Sequence, residues 1–453
     1  MSARKPYISE YYVHNGQCSA NRRDSNTKKT MFRITNIVAL AVCAIICASQ
    51  PVEKLPVLKD VPYSEVHIYT PKTEIVLECV TTEQGSDVKY TWLKDDKPFT
   101  PTGDVIQREN EGTLVFKNPD LSNEGQYQCL AQSEYGVART RPVTLKKLFI
   151  EKPEFTLKKH KPVEGDPFKL DCVIPKAYTK PSIAWLKKSL TDDSDFKMVS
   201  DQRYTISPEG ALYFSTITKE DTNPDYKYVC TAESPESGEM VTLAEHILED
   251  VEPNKGPINN DVVKQYVSQD MTVKAGDFVY LYCIYGGNPL AHPDWFKDGK
   301  DVNNGIKDRV TRHNKSVGKR LVIKEIWVSD QGEYTCVVDN EVGKPQKHSM
   351  YLTVVSAPQF LRDDIPKIIV KPGEDVTIPC IAAGIPAPEL SWSHNADELP
   401  QNDRILLNKS SQGNTTVSDL TIKNVQKGDK GYYGCKGHNE NGDIYKETLL
   451  YVQ

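Results

Sequence analysis

Long hydrophobic runs are missing from this chain. Its longest uninterrupted apolar stretch, residues 37–48, is twelve residues, too few for a membrane-spanning helix, which takes about 20. An excess of one charge is missing as well. The chain has 56 Lys and Arg against 62 Asp and Glu, a net charge of −6, which excludes the strongly basic surface of a dedicated nucleic-acid binder. Histidine is scarce, nine residues scattered through the chain, and no H-E-x-x-H, G-x-S-x-G or phosphate-binding glycine loop occurs. Those absences argue against a zinc hydrolase, a serine hydrolase and a nucleotide enzyme. Hydrophobic residues make up only 38% of the chain, low for one large core but suited to several small cores reinforced by disulfides. The sequence therefore predicts no enzyme: no catalytic residue, no cofactor and no metal site.

What the chain does contain is one arrangement repeated four times. The clearest copy opens with Val279-Tyr280-Leu281-Tyr282-Cys283, an alternating strand with one face predicted to be buried. Trp295 follows, and the copy closes on Asp330-Gln331-Gly332-Glu333-Tyr334-Thr335-Cys336. Two cysteines about 50 residues apart, a tryptophan between them and a tyrosine two before the second cysteine describe an immunoglobulin sandwich. The disulfide staples two sheets, the indole packs on the sulfurs, and the tyrosine hydroxyl ties the corner before the last strands. Cys79, Trp92, Tyr127 and Cys129 make another copy; so do Cys172, Trp185, Tyr228 and Cys230, and again Cys380, Trp392, Tyr433 and Cys435. Self-similarity at this period is a tandem array rather than one large fold. The fold class is all-β: four intermediate-set immunoglobulin-like sandwiches.

Of eleven cysteines, Cys18, Cys43 and Cys47 precede the array, which leaves two per repeat. The expected disulfides are Cys79–Cys129, Cys172–Cys230, Cys283–Cys336 and Cys380–Cys435. Each closes a loop worth about 4 kcal/mol in the chain-entropy account. An even count of this kind belongs to a secreted chain, and the array has no C-x-x-C pair to hold zinc. The apolar run with the small residues Cys47-Ala48-Ser49 after it reads as a signal peptide, residues 31–49, behind an upstream extension, residues 1–30.

The parse continues as domain one, 55–147; domain two, 148–248; a charged, proline-containing hinge, 249–260; domain three, 261–355; and domain four, 356–453. The junctions on either side of the hinge are abrupt, so the expected form is a pair, a bend and a pair: a horseshoe with domain one against four and two against three. Domain two has no glycine at its corner, and Pro379 on the first core strand of domain four predicts a bulge or an exposed position. Asn314, Asn408 and Asn414 stand in glycan-acceptor sequons.

Residues 307–320 are the densest basic stretch. Arg309, Arg312, Lys315, Lys319 and Arg320 there, with Lys158, Lys159 and Lys161 of domain two, are candidates for one exposed anion-binding face. The competing reading is a solvated charge run without a ligand. Lys427-Gly428-Asp429 looks like an adhesion tripeptide, but Asp429 already has a structural place at its domain's corner.

Four such domains behind a signal peptide, with a long linker only in the middle, resemble the hemolins, immune proteins of insect haemolymph. The resemblance covers residues from about 50 to 453 and extends to the amino-terminal domains of the L1 and neuroglian adhesion proteins. It implies a secreted haemolymph protein that binds bacterial lipopolysaccharide or other anionic surface glycans, associates with haemocyte surfaces and binds itself. The alternative it leaves open is a neural or developmental adhesion protein working by homophilic contacts alone.

Overall fold

The computed structural model describes residues 55–59, 66–70, 73–82, 88–256, 260–302, 309–362 and 365–453. The expected extension and signal peptide, residues 1–49, lie outside the described residues.

Each copy of the repeat folds as two facing sheets. In domain three, Val279–Gly286 pairs antiparallel with Arg320–Ile323, which pairs with Val310–Arg312. Opposite them, His292–Lys297 pairs with Gly332–Asp339, and that strand pairs with Gln346–Phe360. Inward residues of both sheets, among them Leu281, Trp295, Leu321, Ile323, Tyr334 and Leu352, form the core. Domains one, two and four repeat this plan around their own cores. Disulfides join Cys79–Cys129, Cys172–Cys230, Cys283–Cys336 and Cys380–Cys435, bridging sequence separations of 50, 58, 53 and 55 residues.

The tryptophans have a second task beyond packing. Each indole N–H needs an acceptor once buried, and each finds a main-chain carbonyl on the opposite side of the sandwich. Trp92 donates to Gly112 O at 2.6 Å, Trp185 to Gly210 O at 2.8 Å, Trp295 to Gly318 O at 2.8 Å and Trp392 to Ser418 O at 2.9 Å. Gly318 has a positive φ of 81°, and a Cβ there would lie 2.3 Å from Arg312 Nε and 2.5 Å from Pro293 O. Only glycine fits.

The tyrosine hydroxyls close the corners. Tyr127, Tyr334 and Tyr433 each donate to the carbonyl four residues upstream: Asn123 O at 2.9 Å, Asp330 O at 3.0 Å and Asp429 O at 2.9 Å. In domain two the loop is longer, and Tyr228 donates to Asp221 O, seven residues upstream, at 2.8 Å. The missing glycine there is absorbed by those added residues and the corner itself is kept.

An arginine–aspartate pair locks the same corner in three domains. Arg203 forks onto Asp221, Arg309 onto Asp330 and Arg404 onto Asp429. The aspartates also accept the main-chain N–H of Thr218, Trp327 and Gln426. Domain one lacks the pair: Asp104 stands where the others have arginine, immediately before the strand Val105–Gln107, and Asn123 where they have aspartate.

Three expectations need correction. Residues 249–252 are not hinge: Val251 is buried in the core of domain two, Glu252 N donates to Pro162 O, and Glu164 N donates to Glu252 O. The bend therefore begins at Pro253, with 257–259 outside the described residues. Pro379 makes no bulge and is half-buried rather than exposed. Ile378 pairs with Leu420 and Ile381 with Val417, so the register runs through unchanged, and the Cys380 N–H is taken by the Asp419 side chain at 3.3 Å. Finally, Val279–Gly286 is buried on both faces from Leu281 onward, because another domain covers its outer side. The junction of domains three and four is a single strand, Gln346–Phe360, which pairs with both domains.

Candidate functional site

A bend between two stiff pairs brings the outer faces of sandwiches together, and residues 54–453 form one unit held by two such seams. The array is a horseshoe.

The seam of domains one and four has an apolar centre of Leu55, Ala138, Tyr432 and Leu449, with Leu58, Tyr135 and Tyr451 against it. Around it lie polar ties. Tyr432 Oη donates to Pro56 O at 2.8 Å, Val137 N to Asn395 Oδ1 at 3.3 Å, and Arg139 N to Glu447 Oε2 at 3.1 Å. Asp96 receives Arg139 at 3.3 Å and Lys436 at 3.5 Å. Burial pushes the Tyr432 phenol well above its ordinary range, with Glu447 adding to the shift.

The seam of domains two and three buries Ala211, Tyr213, Tyr282 and Ile284, with Tyr266 and Tyr280 alongside. Gln265 Nε2 donates to Phe214 O at 2.9 Å and Gly287 N to Ser215 O at 2.9 Å. Lys319 enters this seam fully buried, and its ammonium donates to Gln202 O of domain two at 2.6 Å. Burial pulls its pKa down from 10.5 to about 8, with Asp201 opposing weakly. Below about pH 8 the folded state keeps a desolvated charge; between 8 and 10.5 it releases its proton before the unfolded chain does, so stability rises with pH. Lys319→Met is expected to abolish that rise, which is on the order of 3 kcal/mol, as read from urea midpoints at about pH 7.5 and about 10.

The expected basic face is not assembled. Arg309 is held by Asp330 with its guanidinium 4.0 Å over the Trp327 ring. Arg312 Nε donates to Pro293 O at 2.9 Å, and Lys319 points into the seam. Alternation explains this, because neighbouring residues on a strand face opposite sides. Arg320 lies over the Tyr280 ring at 5.1 Å, while Lys315 is exposed. In domain two Lys158 is exposed, and Lys159 and Lys161 flank Glu249 at 2.8 and 3.9 Å.

Asn408 and Asn414 are exposed on the hairpin of Ile405–Gln412 and Thr415–Ile422. Asn314 is exposed too, but Ser316 of its sequon is buried, with its hydroxyl on His313 O at 3.0 Å. Lys427–Asp429 is a short 3-10 turn whose aspartate is spent on Arg404. Among the described residues there is no group of His, Cys, Asp and Glu able to hold a metal, and no helix long and apolar enough to cross a membrane. The seam residues were missed by the sequence reading. One signal was available: Tyr280, Tyr282 and Ile284 on a face expected to meet solvent.

Comparison with known proteins agrees with this architecture. Residues 262–354 and 358–452 match the immunoglobulin I-set domain family, and 56–133 match an immunoglobulin domain family. The chain is 48% identical to hemolin of Manduca sexta over 419 residues, covering 92% of this chain and 99% of that protein. Hemolin of Hyalophora cecropia is 46% identical, with 92% and 99% covered. Neuroglian of Drosophila melanogaster is 33% identical over 93% of this chain, but the match spans 33% of that longer protein. A crystal structure of the insect immune protein hemolin superposes with a TM-score of 0.77 at 45% identity, covering 88% of this chain and all of that one.

Proposed function

The chain belongs to the hemolin family of insect immunoglobulin-domain proteins, and on that premise we propose that it is a secreted recognition and adhesion protein of the haemolymph. It binds lipopolysaccharide and other anionic glycans of microbial surfaces, attaches to haemocyte surfaces, and binds further copies of itself. The observation that carries this reading is the end-to-end match to hemolins, which includes all four domains. Of the expected cations, Lys158, Lys159, Lys161 and Lys315 remain exposed, Lys159 and Lys161 beside Glu249, and these are the groups offered to phosphate on such a surface. Exposed contacts of this kind are individually weak and screened by salt, so affinity is expected to come from several acting together.

The test is retention on immobilised lipopolysaccharide at two salt concentrations. The wild type is expected to bind and to elute as salt rises. A variant with Lys158, Lys159, Lys161 and Lys315 changed to serine is expected to bind at least about tenfold less tightly with a flatter salt response. Equal retention on uncoated matrix would count against microbial recognition. It would favour the L1-like alternative, which the likeness to neuroglian supports and in which self-association needs no glycan.

A further inference from the structure

We propose that the seam between domains one and four is an acid-tightened clasp: the Glu447 carboxyl closes it when it carries a proton and loosens it when it does not. Glu447 lies on the last strand, Gly442–Val452, where that strand meets domain one. Its Oε2 accepts the Arg139 main-chain N–H across the seam at 3.1 Å, and its Oε1 accepts the Tyr445 hydroxyl at 2.6 Å. No cation pairs with it among the described residues. The Arg139 guanidinium, the nearest candidate, lies over the Tyr445 ring at 5.6 Å and is bonded instead to Asp96 at 3.3 Å. Lys436 is divided between Asp96 at 3.5 Å and Asp443 at 3.7 Å.

An ionised carboxylate half-buried against a second domain, with two hydrogen bonds and no paired cation, is less well solvated than one in open water. Its proton is correspondingly hard to remove: burial raises Glu447 to about 7, with Tyr445 and Arg139 opposing. In an opened arm the same group meets water and returns to its ordinary value of 4.5. Between those values the closed form holds a proton that the open form has lost. Closure therefore strengthens as pH falls through 7, levels off near 4.5, and is weakest above 7.

The other groups facing the seam are accounted for. Burial raises the Tyr432 and Tyr445 phenols and so keeps them neutral at these pH values. His394 sits behind Asn395, stacked 4.4 Å on Tyr433, and burial lowers its pKa. Its charging would oppose closure, but only on the acid side of the ordinary histidine range. Lys430 lies 4.8 Å over the Tyr135 ring and Lys367 4.8 Å over the ring of Tyr451; with Asp96, Arg139 and Lys436 they are the charged groups at the seam among the described residues.

The experiment is small-angle scattering on the full secreted chain from about pH 5.5 to about 8.5. The wild-type radius is expected to grow as pH rises from about 5.5 and to level off above about 7, the closure constant falling by about 30-fold over that range. Glu447→Gln, neutral throughout, is expected to keep the small radius at every pH. Asp96→Asn releases Arg139 to pair with the carboxylate and is expected to move the levelling-off point downward. A wild-type radius independent of pH, or a pH response unchanged in Glu447→Gln, would overturn the clasp. Should Glu447→Gln fail to fold, Asp96→Asn decides: an unmoved levelling-off point overturns it equally.

Discussion

Asp330→Ala is expected to destabilise domain three by about 3–5 kcal/mol, the usual consequence of removing one partner of a buried ion pair. The carboxylate is buried, takes both arms of the Arg309 fork, and accepts the Trp327 N–H at 2.7 Å. Its own main-chain carbonyl is the acceptor of the tyrosine corner. Alanine leaves the guanidinium without its counter-charge beneath the Trp327 ring and the Trp327 N–H without its partner. Asp330→Asn keeps some of the hydrogen bonds and should lose less. In domain one the pair does not exist, so Asn123→Ala should cost only about 1 kcal/mol, the scale of a lost cap. Amide exchange of the domain-three core strands within the full chain reports the local opening free energy. A loss below about 1 kcal/mol for Asp330→Ala would show that the corner does not depend on the pair.

Ala138→Glu is expected to open the horseshoe without unfolding its arms. Ala138 is 2% exposed, yet it belongs to the seam cluster with Leu55, Tyr432 and Leu449 and not to the core of domain one. A glutamate there either buries an unpaired charge, which costs several kcal/mol, or parts the domains and regains water. Parting sacrifices the burial of a few apolar side chains, each worth about 1.5–3 kcal/mol when complete. It is the easier relief, because no disulfide or main-chain sheet ladder crosses this seam among the described residues. The radius of gyration should rise toward that of an extended array, while the amide protection of domain one stays as in the wild type. An unchanged radius in a folded variant would contradict the seam.

The sandwich framework was readable because its signals are local in register: Cys283, Trp295, Tyr334 and Cys336 announce one another by spacing. The corner pairs were not read. Arg203, Arg309 and Arg404 are separated by a whole hairpin from Asp221, Asp330 and Asp429, and Arg309 looked like part of a charge run. Lys315 and Lys319 are equivalent in composition, yet the second falls on a strand start that turns into domain two. Seam residues are harder still. Ala138, Tyr432 and Leu449 are single positions in ordinary strands, and only the bend after Val251 makes them neighbours. The expected hinge, 249–260, was overlong, because Glu249-Asp250-Val251-Glu252 is charged in composition while Val251 is core in position.

The central claim, recognition of microbial surfaces by this folded-back array, is tested most directly by sedimentation velocity of the purified chain with and without lipopolysaccharide. Recognition predicts a faster-sedimenting complex that forms on adding lipopolysaccharide and dissolves as salt is raised. Boundaries identical with and without the glycolipid, at concentrations where the protein alone self-associates, would contradict it and leave homophilic adhesion as the function.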